Sequence, residues 1–180
     1  MDVEKAKSTA LALQTDIGDA LEDLRDLARG IYPPLLADKG LGSALDAQAR
    51  KAPFPVRVDA DGVGRLPQDV EAAVYFSCLE ALQNVAKYAA ASEATITITR
   101  SPTLLTFTVT DDGRGFEPTA VGSGGGLEGL GDRLAAIGGT FDLRTAPGAG
   151  TTISGTVPIT VSPTDESASS SVSDTERVGV

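Results

Sequence analysis

The stretch Glu80-Ala-Leu-Gln-Asn84-Val-Ala-Lys87-Tyr88 decides how this chain is read. At about 100° per residue, Glu80, Asn84 and Lys87 fall within a sector of about 60° on a helix, with Tyr88 beside them. A carboxylate, an amide and an ammonium group thus share one stripe. Val74, Cys78, Leu82, Val85 and Ala89 take the opposite side, which suits a core. Alone, such a stripe is either a solvated face or one wall of a site.

Working outward, Pro67 opens this helix, since a missing N–H has no helical partner in the first turn. The helical pattern runs to about Ala90. Thr95 to Arg100 and Leu104 to Thr110 alternate as two strands around Ser101-Pro-Thr, a hairpin that leaves Asp111 at a strand end. Leu127, Leu130, Leu134 and Ile137 keep helical phase until Gly138-Gly139. Thr140 to Thr145 and Thr151 to Ile159 form a second hairpin around Pro147-Gly-Ala-Gly150. Upstream, Leu41 to Ala49 reads as a short helix, and Phe54, Val56 and Val58 as a strand closed by Asp61-Gly62. About five strands and three helices imply an α+β fold: a two-layer sandwich with a mixed sheet and the helices on one face.

Residues 1 to about 32 carry apolar positions at Ala10, Leu13, Ile17, Ala20, Leu24, Leu27 and Ile31, a short heptad seam for one long helix. It would pair with another helix or pack on its own domain. Gly30 and Pro33-Pro34 stop it. From 161 to 180 the chain is mostly Ser, Asp, Glu and Thr, the composition of a disordered tail.

The 180 residues carry a net charge of −10, which opposes nucleic acid and anionic membranes. No apolar run approaches the roughly 20 residues of a bilayer span. The single Cys78 lies on the apolar helix side, as a structural thiol in a reducing, cytoplasmic compartment would. The chain has no His, so it holds no Ser-His-Asp or Cys-His relay.

Asp111-Asp-Gly113-Arg-Gly115-Phe116 can be a plain turn, or a place where Asp111 accepts a hydrogen bond from a purine amine while the glycines let backbone approach a ring. Gly122, Gly124, Gly125 and Gly126 precede a helix start, where glycines make either a linker or an anion site. Asn84 offers a neutral oxygen suited to Mg²⁺, Lys87 a point charge for phosphate, and Glu80 a group to orient a water or hydroxyl. Thr151 and Thr152 supply hydroxyl donors or serve simply as strand residues. There is no P-loop, and no strand–helix–strand unit is read ahead of the Gly124, Gly126, Gly129 run.

In this order the motifs resemble those of the ATPase family shared by gyrase, the Hsp90 chaperone, histidine kinases and MutL. Glu80-x3-Asn84-x2-Lys87 is similar to its N-box and Asp111-x-Gly113-x-Gly115 to its first glycine box. Gly124-x-Gly126-Leu127-x-Gly129-Leu130 resembles the second, and Gly148-x-Gly150-Thr151-Thr152 the last. The resemblance covers residues 41–160 and implies the Bergerat-type fold, ATP bound by Asp111 at its adenine amine, Mg²⁺ held by Asn84, and a lid over 117–126. Leu24-Arg-Asp-Leu-Ala-Arg-Gly-Ile-Tyr-Pro33-Pro34 resembles the end of the dimerisation and phosphotransfer hairpin of sensor histidine kinases paired with NarL-type response regulators. Residues 1–32 would be its second helix, through which a homodimer forms, and the parent protein would be soluble or membrane-anchored. Two departures stand out: Tyr88 takes the place of a frequent histidine, and the phosphoacceptor histidine of the first hairpin helix is not in this sequence. The resemblance then implies transfer to a histidine on another segment or a partner chain. The alternatives are an anti-sigma-factor-type serine kinase and a non-catalytic nucleotide-binding regulator.

Overall fold

A computed structural model describes residues 32–117 and 126–159. In order these form helix α1 (Pro34–Ala49), strand β1 (Val56–Asp59), helix α2 (Gln68–Asn84), strands β2 (Ala94–Arg100) and β3 (Leu104–Asp111), helix α3 (Gly126–Ala135), and strands β4 (Thr140–Thr145) and β5 (Thr151–Pro158). The heptad-patterned stretch 1–31, the glycine-rich stretch 118–125 with Gly122 and Gly124, and the tail from 160 lie outside the described residues.

The sheet order is β1-β2-β3-β5-β4, with β1 and β2 parallel and the remaining pairs antiparallel. A parallel pair cannot be closed by a tight hairpin, so α2 is the crossover from β1 to β2. The described residues therefore do contain a strand–helix–strand unit: both strands and the helix show in the sequence pattern, but the parallel pairing of β1 with β2 does not. The glycine run at 124–129 lies elsewhere, ahead of α3.

Period-two alternation sorts the strand residues. Ala94, Ile96, Ile98, Leu105, Phe107, Val109, Ile153 and Val157 all lie inward, and register pairs them across the sheet as Ile96 with Val109 and Leu105 with Val157. The helices cover this side with Leu36, Leu41, Leu45, Val74, Cys78, Leu130 and Leu134, each buried. An aliphatic two-layer core results, as the scarcity of aromatics requires. Burial pushes the Cys78 thiol pKa well up, so it is inert at neutral pH. Gly155 sits where a Cβ would press within 2.5 Å of the Phe107 ring, so the glycine makes room for that side chain.

The other face is polar. Thr95 pairs with Thr110, Thr97 with Thr108, Thr99 with Thr106, and the row continues to Thr152, Ser154 and Thr156. Threonine suits this face because its branched Cβ favours the strand and its hydroxyl meets water. Neighbouring hydroxyls also meet, Thr140 with Thr156 at 2.6 Å.

Two helices depart from the simple reading. Helix α1 starts at Pro34, seven residues or about two turns before the Leu41 read from sequence, and breaks at Gly40, whose φ of 77° no ordinary helix contains. Pro33-Pro34 was read only as a stop, yet proline is equally suited to a first turn. Helix α2 passes at Asn84 into a π-helical turn, Val85–Ala89, and ends at Ala90 with φ 50°. The extent to about Ala90 agrees with the sequence pattern, but the last turn is wider than an α-helix.

Candidate functional site

The inner row at one end of the sheet is polar where the rest is apolar. Register sets Ala94, Asp111, Thr151 and Thr145 side by side across β2, β3, β5 and β4. Asp111 is 7% exposed, and its Oδ1 accepts the Gly113 N–H at 2.8 Å. Burial lifts its pKa, the N–H groups of Gly113 and Thr151 pull it back, and the charge of Asp112 lifts it; the net direction is upward. A carboxylate has about four acceptor sites, so these contacts leave capacity for an external donor.

The loop after Asp111 is tied down on both sides. Arg114 N–H donates to Ala89 O at 2.8 Å, fastening it to the π-turn. Gly148 N–H donates to Arg114 O at 2.6 Å, and Phe116 N–H to Thr145 Oγ1 at 3.1 Å, fastening it to the β4–β5 turn. A Cβ on Gly113 would fall 2.5 Å from Ala89 O, and one on Gly115, at φ 56°, would strike the backbone of Ala146. At both positions the space a side chain would fill is taken by protein. Gly150, at φ 70°, likewise lies against the Asp111 carbonyl.

Asp112 braces the loop from outside. Its Oδ1 accepts the N–H groups of Ser92 at 2.8 Å and Glu93 at 3.0 Å, and Ser92 Oγ donates to Oδ2. The Ser92 hydroxyl is the leading cause that holds the Asp112 pKa below the usual carboxylate value. The π-turn exit and the end of β3 are thereby clipped together.

The stripe on α2 runs from inside to outside. Glu80 is 6% exposed, Asn84 is half-buried, and Lys87 and Tyr88 in the π-turn are exposed. Glu80 is a buried acid, Asn84 stands at the rim, and the ammonium lies in solvent. On α3, Leu130 is fully buried and serves the core, while Leu127 and Gly129 are half-buried. Beyond its chain neighbours and its own helix backbone, no described heavy atom lies within 4 Å of a Cβ built on Gly129, so packing among the described residues does not explain that glycine. Gly126 begins the helix, and Gly124 falls outside the described residues.

The structure thus joins Asp111, Gly113, Gly115, Gly150 and Thr151 in one contiguous set of contacts, with the π-turn beside them. Thr152 goes elsewhere: its hydroxyl meets that of Thr110 at 3.3 Å on the polar face, as a strand residue. Ala89, Ser92, Asp112 and Thr145 were not anticipated. None has a sequence signal, because each acts through backbone or through a partner remote in the chain. Among the described residues no group of three or more His, Cys, Asp and Glu could hold a metal ion by itself. No described helix is long and apolar enough to cross a membrane.

Comparison with known proteins gives the same arrangement a lineage. The chain is 32% identical over 164 residues to the signal transduction histidine-protein kinase/phosphatase DegS of Brevibacillus brevis, covering 80% of this chain and 42% of that protein. It is 29% identical over 151 residues to the sensor histidine kinase MctS of Rhizobium johnstonii, covering 79% and 32% respectively. It therefore spans less than half the length of these relatives. Among solved structures, the Erythrobacter litoralis EL346 blue-light activated histidine kinase shares the fold, with a TM-score of 0.58 at 23% identity over 66% of this chain and 42% of that one. The model of the histidine kinase-, DNA gyrase B- and HSP90-like ATPases matches residues 69–161, from the start of α2 past the end of β5, and the chain belongs to that family.

Proposed function

We propose that this chain is the ATP-binding catalytic module of a two-component sensor histidine kinase of the subfamily paired with NarL-type response regulators. Asp111 carries the reading: an acceptor carboxylate, 7% exposed, at the end of a strand, its loop fixed by backbone on both sides. Such a preset acceptor suits the exocyclic amine of adenine. The buried-to-exposed order of Glu80, Asn84 and Lys87 suits a pocket whose base is sealed and whose phosphate end meets solvent.

The donor set fits Mg²⁺ brought in with the triphosphate rather than a resident metal. Asn84 offers one neutral oxygen, and an ion that keeps several waters and takes phosphate oxygens needs no protein cage. When bound, Mg²⁺ neutralises phosphate charge. Lys87 meets the phosphates as a point charge, Glu80 orients a water or hydroxyl at the metal end, and the α3 N-terminus at Gly126, with Gly129 and Leu127 beside it, offers N–H groups to the anion. Thr151 contributes a hydroxyl at the sheet end.

Phosphoryl transfer here is largely positioning and charge stabilisation. The acceptor is a histidine that these 180 residues do not contain, on another segment of the kinase or on a partner chain. Residues 1–32 act as the second helix of the dimerisation and phosphotransfer hairpin, 41–160 as the catalytic domain with 117–126 as its lid, and 161–180 as a tail, all in the cytoplasm. Calorimetric titration with Mg-ATP tests this reading. Asp111→Ala abolishes binding and Asn84→Ala weakens the Mg²⁺-dependent part; an Asp111→Ala variant that binds as the parent does would sink the pocket. An acid-stable phosphoserine product in place of phosphohistidine would refute the acceptor.

A further inference from the structure

Glu71 is a buried carboxylate that the nucleotide reading does not use. It lies one turn into α2, fully enclosed, and receives four donors from three places in the chain. Arg65 Nε reaches Oε1 at 2.9 Å and Nη2 reaches Oε2 at 3.2 Å; Leu66 N–H donates to Oε1 at 3.1 Å. The Tyr32 hydroxyl donates to Oε2 at 2.5 Å. The Leu66 N–H lies just ahead of Pro67, so this contact ties the segment entering α2 back to the helix. The opposite face of the same guanidinium grips α1: Arg65 Nη1 donates to Ala37 O at 2.9 Å.

These contacts bracket a distinct piece of chain. Tyr32 to Lys39 precede the break at Gly40, where φ is 77° and ψ is −175°. A Cβ on Gly40 would sit 3.1 Å from Arg65 Cδ, so hinge and clamp touch. The arm is fastened at its start by Tyr32, near its end by Ala37 O, and in its middle by Leu36 in the core. If Tyr32 leaves, Glu71 keeps Arg65 and the Leu66 N–H, so the buried charge stays paired and release is local.

We propose that Glu71 and Arg65 form a latch that holds the Tyr32–Lys39 arm against α2, with Gly40 as its hinge, and so sets the direction in which the preceding chain leaves the domain. Latched, the Tyr32–Lys39 arm is registered on the same helix that carries Glu80 and Asn84. Released, the arm swings without disturbing the sheet. Its regulatory meaning rests on the kinase reading above; the latch itself does not.

Hydrogen exchange on the full 180-residue chain tests it. Tyr32→Phe raises exchange at the Ala37 amide, which donates to Pro33 O, by about tenfold to a hundredfold, while β2, β3 and β5 amides keep parental rates. Glu71→Gln gives a similar rise and adds the Leu66 amide. In both variants Mg-ATP affinity stays within about twofold, because Glu71 lies 13 residues, about 20 Å, down the helix from Asn84. Exchange at Ala37 within twofold of the parent in Tyr32→Phe overturns the latch. So does an equal rise across the whole sheet, which would make Tyr32 a global stability contact. A parent that binds no ATP, together with the local rise at Ala37 in Tyr32→Phe, overturns the kinase reading and keeps the latch.

Discussion

Substituting alanine at Gly113 and at Gly129 should move stability in opposite directions, although the two belong to similar glycine motifs. At Gly113 the new Cβ would lie 2.5 Å from Ala89 O, 2.7 Å from Ala89 Cβ and 2.7 Å from Asp111 Oδ1. Two of these atoms belong to the π-turn at the end of α2, which cannot rotate aside as a flexible side chain would. Relief needs the Asp111 loop and the π-turn to part by about 0.5–1 Å, and overpacking of this kind costs about 1–3 kcal/mol. Alanine returns about 0.4–1 kcal/mol by restricting the unfolded chain, leaving a net loss of about 1–2 kcal/mol. At Gly129, inside α3, no described atom stands within 4 Å, and alanine gains about 0.5–1 kcal/mol in a helix interior. Urea unfolding followed by far-ultraviolet circular dichroism reads both, since the chain has no Trp. Mg-ATP titration then tests the proposed role: with Gly129 at the phosphate end of the proposed pocket, Gly129→Ala should fold better yet bind more weakly. A Gly113→Ala variant as stable as the parent would refute the steric account, and a Gly129→Ala variant that loses stability would show packing hidden from this reasoning.

Other outcomes follow from single residues. The Ser77 hydroxyl is fully buried with no hydrogen-bond partner among the described residues, so Ser77→Ala should stabilise by about 1 kcal/mol; a lower urea midpoint would mean the hydroxyl is satisfied. Ala90 holds φ 50°, which costs a side-chain-bearing residue about 1 kcal/mol, so Ala90→Gly should raise the thermal midpoint by a few degrees, and no rise would mean the π-turn is relaxed as built. Asp112 has its folded pKa depressed below 3.8, so its contribution is present above that pH and is lost as pH falls through the folded value. Asp111, with its pKa raised, works the other way and favours the fold as pH falls toward 3.8. Asp112→Asn should therefore flatten the acid limb of the stability curve, and an unchanged limb would remove Asp112 as its source.

The strands and the motif order were legible because alternation and glycine spacing are local signals. Thr140–Thr145 and the Asp111 strand end follow directly from them. The reason for the glycines was only half legible. Gly113, Gly115 and Gly150 answer to backbone from Ala89, Ala146 and Asp111, whose approach depends on sheet register that no local pattern carries. The π-turn escaped because Val85–Ala89 reads as ordinary helix, and period-3.6 reasoning placed Lys87 on a stripe that a wider turn modifies. Glu71 escaped for another reason: an acid in the first turns of a helix reads as a solvent-facing complement to the dipole. One of its hydrogen-bond partners, Tyr32, stands 39 positions earlier. Tyr32 itself has its pKa pushed up to about 12, chiefly by burial and then by Glu71.

The threonine face of the sheet bears on how such a module can be carried. Its cohesion is one-sided: apart from Leu104 at the start of β3, the large apolar strand residues point to the helices, and the other surface offers water mostly hydroxyls, with charges such as Arg57, Asp142 and Arg144 toward the edges. A neighbour arriving at or leaving that surface strips little apolar area from water in either direction, so the hydrophobic effect neither glues it there nor penalises its departure. The sheet is in this sense a sliding surface. Among the described residues, the large buried apolar side chains all lie on the helical side.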